Sequence, residues 1–469
     1  MMVTADLPIA GPGFDSQEAD RAWRSGDTTA AIEAADRVLA TGFDPGCLAA
    51  GVAAAATAAD GALMDAADRW RGIAATLSGA PAALACGRAA LAASLAGDVD
   101  AATSDLATAH ELLPGAPPRG LTILLNGVAA TVAAVRGEFD AAARRLAGLA
   151  VATVPADPFA AERWDDLAMT VMAAGGDDRT ARVMFDGTPV TTRRRLLTAW
   201  LDLRAGRLTD ARAGLVEVSA APVLRRDAVL AAAIAVGLAR RSGDDDALRA
   251  TWHRVAPVVA GADVEPLLLD AWGELSVGAA TPIDRDLIVA GMTAAVARAG
   301  NPAWGRETLA WWALQRAIGA DDPAAAAVAA TGLPEHTPGR VWAAVLAGDV
   351  DPAAVRAAAE ALADRPWEAA VLCGAAAARH TDPSAVKDLL GAGRALRATF
   401  ATADRATGGL SKRERSVGEL LLDGLTHKEI GARLYISPKT VEQHVARIRQ
   451  KLPAANRAEL IAALRTALG

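Results

Sequence analysis

Gly424-Leu425-Thr426-His427-Lys428-Glu429-Ile430-Gly431-Ala432-Arg433-Leu434-Tyr435-Ile436-Ser437-Pro438-Lys439-Thr440-Val441 holds two helix starts separated by one short helix and a tight turn. Thr426 followed three residues on by Glu429 is a capping box, in which hydroxyl and carboxylate each satisfy an orphan amide of the first turn. Ser437 is an N-cap, and Pro438 stands at the first helical position, where a missing N–H costs nothing. The first helix ends near Leu434, so the spacing predicts a helix-turn-helix. Outward from it, Ser411 with Glu414 and Asn456 with Glu459 repeat the box, which gives four short helices between Leu410 and Gly469.

In the helix that opens at Pro438, Val441, Val445, Ile448 and Leu452 fall on one stripe and can pack on the preceding helices. The opposite face carries Lys439, Gln443, Ala446 and Gln450, flanked by Glu442 and Arg447, and is free to enter a major groove. Charge is distributed to match. Residues 411–469 hold four of the five lysines and a net charge of about +5, against about −12 for the rest of a chain whose total is −7. A basic surface helix also occurs without any partner, so charge alone does not decide the matter.

Leu410-Ser411-Lys412-Arg413-Glu414-Arg415, Gly424-Leu425-Thr426-His427-Lys428-Glu429-Ile430, Ile436-Ser437 with Thr440-Val441, His444, Ile448, Lys451-Leu452 and Asn456-Arg457 with Glu459-Leu460 stand at fixed spacing without a gap. This segment resembles the C-terminal domain of the LuxR-type transcriptional regulators. The resemblance implies that Pro438 to Lys451 is the recognition helix, and that the last helix pairs two subunits through Arg457, Leu460, Ile461 and Leu464. It places Glu442, Gln443 and Ala446 in slots that face base edges, with Lys439 beside them. Many relatives carry basic residues in some of those slots. Gln443 can bond adenine N6 and N7, Glu442 can accept from cytosine N4, and Ala446 can touch a thymine methyl; Glu442 can equally belong to a solvated face. The phosphate-contact candidates are Lys412, Arg413, Lys428, Thr440, His444, Arg447 and Lys451.

The preceding 400 residues are rich in Ala, Leu, Val and Arg, contain a single lysine, Lys387, and show no sustained alternating pattern, which predicts a nearly all-helical region. A Gly, commonly followed by an acidic residue and a short helical start, recurs at Gly26, Gly61, Gly97, Gly137, Gly176, Gly206, Gly243, Gly278, Gly319 and Gly348. The steps run from roughly 29 to 41 residues and average about 36, near the 34-residue period of a helix pair. These copies resemble degenerate tetratricopeptide repeats. The fold class expected is therefore all-α, a long α-solenoid of roughly ten helix pairs followed by the small four-helix head; a less regular helical bundle has the same composition. Val154 to Pro158 and Gly187-Thr188-Pro189 read as longer loops.

Stacked pairs leave a concave groove suited to peptides, proteins or small effectors. Trp164, Trp304, Trp311 and Trp312 can either contact a ligand there or fill gaps between helices. Arg193-Arg194-Arg195 can grip an acidic partner or phosphate, or form a solvated helix start. A Walker A loop needs a lysine after its glycines, and none precedes Lys387, so ATP input is not expected; a receiver domain fails on the same count and on its strands. The six histidines lack metal spacing, no catalytic residue is assigned and no cofactor is expected. Cys47, Cys86 and Cys373 suit a reducing compartment. Met1 to Phe14 lacks a basic region ahead of an apolar run, and Cys47 to Ala59 is too short to span a membrane, so a cytoplasmic protein with no membrane contact is expected.

The reading is of a DNA-binding transcriptional regulator rather than an enzyme. Residues 1–395 form the sensor or interaction domain, 396–409 a linker, and 410–469 the head. Expected partners are double-stranded DNA, a second copy through the last helix, an effector protein or small molecule on the repeats, and RNA polymerase. The alternative is a helical-repeat scaffold whose head binds a protein.

Overall fold

The computed structural model describes the chain apart from residues 1–13, 43, 45, 114, 152–156, 158, 160–161, 185–190, 220–223, 406–411, 435–436, 453–456 and 469, and apart from the side chains of 14–15, 219, 399–405, 412–413, 415, 450–451, 457–458 and 466–468. Among the described residues there is no strand. Ahead of the head, helices come in pairs: α1 (Phe14–Ser25) with α2 (Thr28–Ala40), α3 (Leu48–Ala59) with α4 (Leu63–Thr76), α5 (Gly79–Leu95) with α6 (Val99–Glu111), and α7 (Arg119–Arg136) with α8 (Phe139–Ala150). The next are α9 (Trp164–Ala174) with α10 (Asp178–Met184), α11 (Thr192–Arg204) with α12 (Leu208–Ser219), and α13 (Arg225–Ser242) with α14 (Asp245–Val259). A 3-10 turn, Pro266–Leu268, precedes α15 (Leu269–Gly278) with α16 (Pro282–Arg298), α17 (Ala303–Gly319) with α18 (Pro323–Thr331), α19 (Pro338–Leu346) with α20 (Pro352–Ala361), and α21 (Pro366–Arg379) with α22 (Pro383–Arg405).

The recurrent glycines stand at the turns within these pairs. Eight of the ten, from Gly26 to Gly243 and again at Gly348, have φ between 70° and 103°, the left-handed region that favours glycine. The acidic residue that follows caps the second helix: Asp27, Asp98, Asp177 and Asp244 each accept amide hydrogen bonds of its first turn. Gly278 and Gly319 differ, because they end α15 and α17 as helical residues. At the second of these turns the left-handed position falls to Asp321, with φ 48°. The pair α21 and α22 escapes the glycine pattern altogether, since Asp382 caps α22 from a turn without glycine. Of the two stretches read as loops, only Asp157 lies within the described residues; its carboxylate binds Arg88 Nη2 at 2.6 Å and Nε at 3.0 Å. The stretch expected as a linker is helical as far as Arg405.

Successive first helices pack side by side, α5 on α7, α9 on α11, α11 on α13, α13 on α15 and α15 on α17. Small side chains make this possible: of α5, Ala82, Ala83, Ala85, Ala89, Ala90, Ala92 and Ala93 are all buried. The array then coils back on itself. Arg298 donates to Ala96 O at 3.0 and 3.2 Å, and Trp304 donates to Val135 O at 3.0 Å, which joins α16 and α17 to the turns of much earlier pairs. Gly97 and Gly137 serve this approach as well as their turns, because a Cβ on them would stand 2.6 Å from Pro266 and 2.8 Å from Trp304.

The groove is consequently filled from within. Arg193 and Arg194 do not form a solvated helix start: both are buried and ion-paired. Arg194 meets Asp166 at 2.9 Å, and Arg193 meets Asp227 at 3.2 Å and Glu265 at 3.4 Å; Arg195 alone is exposed, 3.8 Å from Glu217. Among the tryptophans, Trp312 is buried and donates to Asp270 at 2.8 Å. Trp164 packs over Gly127, Trp304 packs edge-on to Phe139, and Trp311 edge-on to Trp342. They fill space between helices. The cavity bounded by Trp200, Arg204, Asp270 and Trp304 holds about 20 Å³, room for a water. No helix among the described residues is long and apolar enough to cross a membrane.

Candidate nucleic-acid interface

The head consists of α23 (Lys412–Leu422), α24 (His427–Leu434), α25 (Pro438–Lys451) and α26 (Arg457–Leu468). Its helices start where local chemistry dictates. Thr426 N and Oγ1 donate to Glu429 Oε2 at 2.8 and 2.7 Å, which closes the box and holds the Glu429 carboxyl below its usual range. Ser437 Oγ accepts from Thr440 N at 3.1 Å, with Pro438 at the first helical position. Gly424, at φ 83°, turns the chain from α23 to α24. The boxes at Ser411 and Asn456 lie outside the described residues. Removing the Ser437 hydroxyl by Ser437→Ala should lower head stability by about 1 kcal/mol, read as a lower melting point for that domain alone.

Val441 and Ile448 are fully buried and Val445 nearly so, packed with Val417, Leu421 and Ile430 into one small core, with Leu452 at its edge. That seating decides which face of α25 is presented. Lys439, Glu442, Gln443, Ala446 and Arg447 are exposed along one side, Thr440 and His444 are half-buried at its border, and Lys428 is exposed on α24. The Thr440 hydroxyl is engaged with Ser437 at 2.8 Å. Glu442 stands 3.9 Å from His427, the first residue of α24, a neighbour that reading α25 alone does not show. The side chains of Lys412, Arg413, Lys451 and Arg457 lie outside the described residues. Leu460 and Leu464, expected to face a second subunit, instead belong to the head's own core, where α26 packs on α23; Ile461 is half-buried beside them. Leu–Leu spacing of four places both on the stripe that a small domain must bury first.

A short helix followed three residues later by a second helix whose polar side projects from the domain defines a helix-turn-helix protein. The chain belongs to the luxR family of bacterial regulatory proteins, whose pattern matches residues 409–464. Over 55 residues it is 46% identical to the spore germination protein GerE of Bacillus subtilis, covering 12% of this chain and 74% of that one. Over 51 residues it is 51% identical to the transcriptional regulatory protein UhpA of Escherichia coli, covering 11% of this chain and 26% of the other. A 109-residue match at 35% identity, 23% of this chain, links it to Mb0914c of Mycobacterium bovis, named as an HTH-type transcriptional regulator. The chain spans only 12% of that relative's length.

Proposed function

We propose that the protein is a transcriptional regulator that binds double-stranded DNA through α25 and takes its instruction from the helical array. The observation that carries this reading is the seating of α25: its apolar stripe is consumed by the head's core, and a polar, partly basic side is left facing out. Lys439, Glu442, Gln443 and Ala446 are the groups offered to base edges; Lys428, Thr440, His444 and Arg447, with Lys412, Arg413 and Lys451, are the groups offered to phosphates. Two heads pair on a two-fold site through α26, by the edge that carries Ile461 and Arg465, since Leu460 and Leu464 are committed inward. Effectors act on residues 1–395, and RNA polymerase is the partner through which a bound head would change transcription.

Selection of binding sites from a random duplex pool, followed by titration of the selected site at several salt concentrations, tests this. Arg447→Ala should weaken binding to all sequences and reduce the salt slope by about 0.9. Gln443→Ala should cost about 1–3 kcal/mol on the preferred site and relax base choice at one position. Binding that ignores salt, or an unchanged selected motif in Gln443→Ala, would count against α25 as the reading helix.

A further inference from the structure

Between α14 and the 3-10 turn the chain leaves helix from Ala262 to Glu265, with Glu265 extended at φ −79° and ψ 118°, then enters Pro266–Leu268. This strap touches six consecutive pairs, from α3 with α4 to α13 with α14. Asp263 N donates to Gly61 O at 2.9 Å, in the turn between α3 and α4, and its carboxylate accepts from Met64 N at 3.1 Å, in the first turn of α4. Pro266 sits on Gly97, between α5 and α6, and the 3-10 turn packs on α7 and α9. Glu265 is clamped by Arg226 of α13, at 2.7 Å from Nε and 2.6 Å from Nη2, and by Arg193 of α11 at 3.4 Å. Val264, Glu265, Pro266, Leu267 and Leu268 are all buried.

We infer that this strap is a built-in stand-in for a partner, and that the groove is a receptor for an extended peptide in which an acidic residue precedes a proline and aliphatic residues. Main-chain pairing, one carboxylate in a two-arginine clamp and small apolar pockets are the means by which a groove holds an extended peptide. The strap's own chemistry defines the ligand class: an acid for Arg193 and Arg226, then side chains that fit where Pro266, Leu267 and Leu268 lie. Glu162 shares the same clamp, 2.9 Å from Arg226 and 3.5 Å from Arg193. Asp227 also faces Arg193, at 3.2 Å. The arginines therefore keep carboxylate partners when the strap leaves, which makes release feasible without stranding a buried cation. The inference rests on the array as the receiving domain.

The test uses the full chain and a synthetic peptide with the sequence of residues 260–269. Glu265→Gln should raise amide exchange in residues 260–268 on the order of tenfold while the rest of the array keeps its protection. The peptide should bind that variant on the order of tenfold more tightly than it binds the unaltered protein, and a peptide with Gln in place of its Glu should lose that advantage. If Glu265→Gln does not fold, Asp263→Ala, which loosens the other anchor and leaves the arginines intact, is put through the same two measurements. Exchange that rises only with global unfolding, or a released strap whose groove binds neither peptide at millimolar concentration, overturns the inference. Neither readout involves DNA, so failure here leaves the DNA-binding reading standing.

Discussion

Glu274→Ala is expected to destabilise the helical array by about 3–5 kcal/mol at neutral pH, because it removes the carboxylate that binds two buried guanidinium groups most closely. Glu274 on α15 is fully buried. It accepts from Arg240 Nε and Nη2 at 2.6 and 3.0 Å and from Arg241 Nη1 at 3.0 Å. With Glu274 gone, both arginines depend on Glu368, at 3.7 and 3.0 Å, on the face of Trp367 and, for Arg241, on Gly237 O at 3.1 Å. Burial works to raise the Glu274 pKa, but the two arginines outweigh it and hold the carboxyl at about 2, against an ordinary 4.5. The contribution is therefore complete above about pH 4.5 and is lost as pH falls from there towards 2, a linkage on the order of 3 kcal/mol. Glu265 and Asp270 are lowered and act in the same direction. Glu162, Asp166 and Asp178 are raised by burial and act oppositely, gaining protons in the native state before the unfolded one and softening the acid limb. Denaturant titrations between pH 7 and pH 3 should show stability falling with acid in the unaltered protein. The slope should be flatter in Glu274→Gln. A loss below about 0.5 kcal/mol in Glu274→Ala would mean that Glu368, Trp367 and Gly237 O satisfy the two arginines without Glu274.

How far the sequence discloses this structure depends on the range of the interaction concerned. Thr426 with Glu429, and Ser437 with Pro438, are local, so the helix-turn-helix can be read residue by residue. The turn glycines are legible for the same reason, since a left-handed φ is a property of one position. Gly278 and Gly319 mislead because glycine is permitted in that conformation without being obliged to adopt it. The interior of the array is harder to read, yet it leaves a trace. Arg71 with Asp105, Arg193 with Asp227 and Arg240 with Glu274 are each separated by 34 residues, one repeat, so acids and arginines in step across neighbouring pairs announce buried ladders. The strap between α14 and α15 leaves no such trace, because Asp263 meets a partner 199 residues away in Met64. The burial of Leu460 and Leu464 belongs to the same class: the stripe on α26 is visible, but whether it meets α23 or a second head is settled by packing.

Gly273→Ala should lower stability by about 1–3 kcal/mol, even though alanine is the better helix former by about 1 kcal/mol. Gly273 lies inside α15, and a Cβ there would stand 2.2 Å from Cγ and Cδ2 of Trp312. The ring cannot swing aside. Trp312 is buried, and its N–H is fixed to Asp270, which Arg365 holds in turn at 2.7 Å. Gly127, inside α7, is the equivalent socket for Trp164, with a would-be Cβ 2.3 Å from that ring. Trp164 is only half-buried and has room to tilt, so Gly127→Ala should cost less. A double-mutant cycle separates the collision from other effects. Trp312→Leu leaves a smaller side chain over the socket, so the pair Gly273→Ala with Trp312→Leu should be less destabilised than the sum of the two single changes, with a coupling of at least about 1 kcal/mol. Strict additivity, or a Gly273→Ala protein more stable than the parent, would mean that α15 and α17 are not interlocked by this ring. A glycine in mid-helix opposite a tryptophan about one repeat away, 39 residues for Gly273 and 37 for Gly127, is thus a packing signal in this chain. It assigns Trp164 and Trp312 to the joints between successive pairs.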